Sequence, residues 1–96
     1  MLQPVDIEKT LSRLKPELSS KFFVGKIGYF GSYARNEQTE ISDIDILVEL
    51  TKPLGWEFFD LQEVLEKALN AKVDLVTIKA LKSQLKDRIL SEVKYV

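Results

Sequence analysis

Cysteine and histidine are both missing from this 96-residue chain, and the two absences remove whole classes of chemistry. Without cysteine there is no disulfide, no thiolate nucleophile and no Cys-type zinc site. Without histidine a Ser-His-Asp triad cannot be assembled, so Ser32 is not a conventional hydrolase nucleophile. An excess of basic residues is missing too: 14 Lys and Arg against 15 Asp and Glu leave a net charge of −1, with a pI near 5.5. Coating a phosphate backbone needs clustered positive charge, so general nucleic-acid binding is not expected. No apolar run approaches a membrane span, and Met1-Leu2-Gln3-Pro4 lacks a basic segment followed by an apolar one. No membrane partner is therefore expected, and a cytoplasmic location is the default. The length predicts one domain over 1–96, burying about 60 to 65% of its unfolded surface.

What the chain does have is concentrated between residues 31 and 46. Gly31-Ser32-Tyr33-Ala34-Arg35 closes an apolar run, and Ser42-Asp43-Ile44-Asp45-Ile46 opens the next. Side chains at i and i+2 of a strand point the same way, so Asp43 and Asp45 share one face while Ile44, Ile46, Val48 and Leu50 line the other. Carboxylate oxygens held side by side are natural ligands of a hard cation such as Mg²⁺, which fills its remaining positions with water and substrate phosphates. Two such ions would clamp the attacking and leaving oxygens of a phosphoryl transfer. In Lys72-Val73-Asp74-Leu75-Val76, Asp74 lies on the face opposite Val73 and Leu75, and it joins the cluster if the two strands are neighbours. At ~5 Å and an effective dielectric of ~20, each like-charged pair costs about 3 kcal/mol. Without a cation the cluster should take up a proton or loosen.

Ser32 to Arg35 is expected to form the first turn of a short helix leaving a strand over Val24 to Phe30. Free N–H groups at such a start favour phosphate, Gly31 permits close approach, and Ser32 adds a hydroxyl donor. The plainer reading makes Ser32 an N-cap only. Arg35 has a planar fork suited to two phosphate oxygens, or alternatively pairs with Glu37 or Glu40 on the surface. Glu49 shares the face of Asp43 and Asp45 but reads as a solvated strand end. Gly25 and Gly28, inside the first strand, mark either a close approach or a bulge.

The flanking segments read as packing. Asp6 is placed to cap a helix with Ile7, Leu11, Leu14 and Leu18 on one face, kinked or restarted at Pro16. Asn36 to Ser42 is an exposed loop. A helix from about Trp56 to Leu69 puts Phe58, Phe59, Leu61, Leu65, Ala68 and Leu69 toward the core, with Asn70 as its C-terminal cap and Trp56 exposed. Lys72 to Ile78 is the third strand, either a parallel neighbour of the second or separated from it by the first. A last helix, Ala80 to about Val93, carries Leu81, Leu85, Ile89 and Val93 on one stripe, with Lys82, Lys86, Arg88 and Lys94 on a solvated face.

GSYARNEQTEISDIDILVEL followed by VDLV resembles the minimal nucleotidyltransferase domain of the DNA polymerase beta-like superfamily, over nearly the whole chain. The family pattern is Gly-Ser, about ten residues, Asp-x-Asp and a later Asp. The resemblance implies an α/β (α+β) fold, a small mixed β-sheet flanked by helices as in the polymerase-beta-like palm. It implies that Gly31, Ser32 and Arg35 bind the nucleotide and that Asp43, Asp45 and Asp74 are the catalytic, metal-holding residues, with two Mg²⁺ ions or Mn²⁺ in their place and ATP as substrate. It is nearest to small prokaryotic antitoxins paired with a HEPN-family ribonuclease toxin, which move AMP onto a tyrosine of that toxin. Asn36 departs from the usual Gly after Arg35, but asparagine also tolerates a left-handed backbone. Two other readings are a module that neutralises its partner by binding alone and a two-carboxylate glycosidase. The second is poor, because same-face aspartates on one strand do not flank a sugar.

Overall fold

A computed structural model describes residues 2–96. In chain order it comprises α1 (Pro4–Phe22), β1 (Val24–Phe30), β2 (Ile44–Leu50), α2 (Glu57–Leu69), β3 (Val73–Thr77), a single 3₁₀ turn (Ile78–Ala80), α3 (Ser83–Glu92) and β4 (Lys94–Tyr95). The strands form one mixed sheet in the order β3-β2-β1-β4. β1 is antiparallel to β2 and β4, and β3 runs parallel to β2. This is the expected small mixed sheet with helices.

The period-two alternation of β2 and β3 decides which side is core. Ile44, Ile46, Val48, Val73 and Leu75 are buried with Ile7, Leu11 and Leu18 of α1 and Leu61, Leu65 and Leu69 of α2. α1 and α2 thus cover one face of the sheet. Burying a Leu or Ile side chain contributes about 1.5 to 3 kcal/mol, which is what holds both helices down.

Several sequence expectations change. α1 begins at Pro4, earlier than expected, and Asp6 lies inside its first turn, accepting a 2.8 Å hydrogen bond from the Gln3 N–H. The helix runs through Pro16 without restarting. Pro16 and Ser12 are both exposed, so water can satisfy the Ser12 carbonyl that the proline leaves without an N–H. Phe59 is 60% exposed and not core, whereas Trp56, at 84%, is exposed as expected. α3 buries none of its residues. β4 has no counterpart in the sequence reading; two residues are too few for a periodic signal.

The two glycines of β1 take one role each. Gly25 sits where the β1–β2 register shifts between Val24 and Lys26. At Gly28 the β4 backbone comes so near that a Cβ would lie 2.7 Å from the Lys94 carbonyl oxygen.

Candidate active site

β2 and β3 are direct parallel neighbours, which resolves the choice the sequence left open, and their register sets Asp45 opposite Asp74. Asp74 is exposed and Asp45 half-buried, while Asp43 stands exposed just before β2. Burial pushes the Asp45 carboxyl up to about 6; the charge of Asp74, a hydrogen bond with it and the charge of Asp43 push the same way, and Arg35 opposes them. The Asp45 carboxyl thus holds its proton well above the ordinary aspartate range, by burial first and by the charge of its acidic neighbours second.

Among the described residues no three His, Cys, Asp or Glu side chains are gathered closely enough to hold a metal ion as they stand. The donors are nonetheless hard-cation ligands in kind. A carboxyl whose pKa is raised to about 6 by burial and, after that, by acidic neighbours is one whose charge a divalent ion would compensate.

The segment after β1 is a turn over Gly31 to Asn36, without the short helix expected of it. Arg35 N–H donates to the Gly31 carbonyl at 3.1 Å, and Glu37 N–H to the Ser32 carbonyl at 2.8 Å. With no helix to begin, the capping role for Ser32 lapses. Gly31 has φ 71° and Asn36 φ 57°, so the residue that departs from the family pattern still adopts the left-handed backbone. At Gly31 any Cβ would overlap the Asp45 carboxylate at Oδ2. The turn backbone and the Asp45 carboxylate are thus pressed together, and only glycine allows it.

Arg35 pairs with Glu37 at 2.8 Å, one of the two surface partners expected, and also with Glu92 at 2.8 Å. The same Glu92 Oε2 accepts a 2.8 Å hydrogen bond from the Gly31 N–H. Glu92 is absent from the sequence reading, and no local pattern marks it. Arg88, expected on a solvated face, lines a cavity of about 250 Å³ with Phe30, Gly31, Arg35, Asp45 and Glu92. Glu49 is exposed at the far end of β2, as expected. A larger apolar cavity of about 730 Å³ lies at that end, between Leu54, Phe58, Leu75 and Ile78.

Comparison with known proteins gives a consistent result. The family model of the nucleotidyltransferase domain matches residues 11–96. Protein adenylyltransferase MntA of Thermococcus cleftensis is 45% identical over 97 residues, covering 100% of this chain and 98% of the relative. Among solved structures, a toxin–antitoxin with AMP-PNP superposes with a TM-score of 0.71 at 29% identity, covering 98% of this chain and 72% of that one. A tri-AMPylated HEPN toxin of Shewanella oneidensis in complex with its MNT antitoxin gives a TM-score of 0.68 at 25% identity, covering 98% and 71%.

Proposed function

This chain belongs to the nucleotidyltransferase domain family, and from that premise we propose that it is an antitoxin that transfers AMP from ATP to a partner protein. The acceptor in this reading is a tyrosine hydroxyl of a HEPN-family toxin. Support comes from the relative named a protein adenylyltransferase, and from the likeness to structures containing AMP-PNP and an AMPylated toxin. The observation that carries the reading is the placement of Asp45: opposite Asp74 on one side and against the Gly31 backbone on the other.

Nucleotidyl transfer demands positioning and charge neutralisation more than covalent help from the protein. The acceptor oxygen bonds to the α-phosphorus, the bond from that phosphorus to the bridging oxygen breaks, pyrophosphate departs and the hydroxyl proton is lost to solvent. Gly31 and Ser32 offer N–H and hydroxyl donors to the phosphates, and Arg35 offers its fork. Asp43, Asp45 and Asp74 are the residues that would hold Mg²⁺, or Mn²⁺ in its place. Bound there, the two ions supply charge neutralisation on the phosphates and a lowered pKa for the acceptor hydroxyl. The exposure of Asp74 leaves its side open to a protein acceptor, and the half-buried Asp45 anchors the inner end of the cluster.

The test is to incubate the protein with Mg-ATP and its cognate toxin and to follow the toxin mass. Addition of one or more AMP units, lost in the Asp43→Ala, Asp45→Ala double variant, is the expected result. A toxin suppressed equally well by that variant, with no change in mass, would show neutralisation by binding alone.

A further inference from the structure

We propose that Arg88 of α3 is a second cation for the triphosphate, and that Glu92, one helical turn later, is the internal anion that phosphate must displace. This rests on the reading of the Gly31 turn as the phosphate grip and extends it to an element assigned no role above.

Three donors converge on the Glu92 carboxylate, a backbone N–H and a guanidinium from the turn after β1 and a second guanidinium from α3 itself. Its Oε2 accepts from the Gly31 N–H and from Arg35 Nη1, each at 2.8 Å. Its Oε1 lies 3.9 Å from Arg88 Nε. The Glu92 side chain is only 18% exposed, against 70% for Arg88. A backbone N–H at a left-handed glycine, joined by two guanidinium groups, is the donor set that holds a phosphate oxygen. Here a carboxylate of the chain has taken that place.

Little apolar packing holds α3 in place. α3 has no buried residue, so shifting it uncovers little apolar surface. The 3.9 Å separation engages Arg88 loosely, and Arg88 lines the cavity it shares with Asp45 and Arg35. A triphosphate entering between the turn and α3 would exchange Glu92 for its own oxygens and gain Arg88. Charge favours a cation there, because the phosphates arrive beside the acidic groups of Asp43, Asp45 and Asp74.

The two residues form one ion pair but have opposite roles toward the ligand, and this separates the proposal from a merely structural brace. Binding of Mg-ATP, and of inorganic tripolyphosphate to isolate the phosphate contribution, is measured by titration calorimetry on wild type, Arg88→Gln and Glu92→Gln. Arg88→Gln should weaken both ligands about tenfold, and Glu92→Gln should tighten both about tenfold, the scale of one charge-assisted hydrogen bond. Melting temperatures should fall in both variants, and further in Glu92→Gln, which weakens the contacts to Gly31 and Arg35 as well as the pair with Arg88. Affinities that fall together, or do not change, overturn the proposal while leaving the phosphate grip intact. If wild type binds neither ligand, the grip and the proposal both fall.

Discussion

Asp45 and Gly31 occupy each other's space: the carboxylate of the first fills the volume where a side chain on the second would stand. The contact joins the turn after β1 to the acidic strand β2, so neither can move far without the other.

Gly31→Ala should therefore harm both structure and function. The alanine Cβ would meet Asp45 Oδ2 while the backbone holds φ 71°, and a left-handed non-glycine residue costs about 1 to 2 kcal/mol before any clash. A lower urea midpoint together with loss of AMP transfer is expected. Wild-type values for both would refute the contact.

Asp45→Asn should separate stability from activity. The variant removes a charge that burial and Asp74 disfavour, so the protein should gain about 1 to 2 kcal/mol at pH 7 after allowance for partial exposure. Transfer activity should drop by more than the ~10 to 100-fold typical of losing a residue that only supports a metal ligand. Thermal melts and a labelled-ATP assay on the same preparation check the pair of effects.

The same carboxyl fixes a pH dependence. Its pKa near 6 in the fold exceeds the ordinary aspartate value of about 3.9, so between these limits the native state binds more protons than the unfolded chain. The contribution of Asp45 is present in full below the lower value and is lost as pH rises through about 6. Without metal, stability from this group should decline from pH 4 to pH 7. Millimolar Mg²⁺ or Mn²⁺ should raise the melting temperature at pH 7 and do so less at pH 5, where protons compete. A calorimetric scan insensitive to metal at both values would count against the cation site.

Gly28→Val tests whether β4 anchors the chain end. Its side chain would strike the Lys94 carbonyl and the Val93 side chain, and overpacking of this kind costs about 1 to 3 kcal/mol. Faster amide exchange at Val96, whose N–H donates to the Ile27 carbonyl at 2.9 Å, is the expected local sign. Unchanged exchange there would mean that β4 is not held by this contact.

Much of this was legible in the residues. β1 spans Val24 to Phe30 as its β-rich composition indicated, β2 spans Ile44 to Leu50, and α2 ends at Leu69 with Asn70 left-handed. Strand alternation and helix period depend on backbone geometry a few residues wide, so sequence records them directly. Where burial rather than period decided the outcome, local reading failed. The stripe of α3 has helical spacing yet buries none of its residues, and Phe59 continues an aromatic run yet turns outward.

Sequence by itself determined that Asp45 would stand on the face of a strand opposite Ile44 and Ile46, with Asp43 next to it at the strand's start and a glycine turn ahead of both, because side chains alternate along an extended backbone. Tertiary structure alone decided that β3 would lie beside β2 in the register that sets Asp74 opposite Asp45. It also brought the Glu92 carboxylate to the N–H of Gly31 across 61 positions. Both meetings depend on how sheet and helices pack, and no spacing within the chain encodes which distant carboxylate arrives at a given turn.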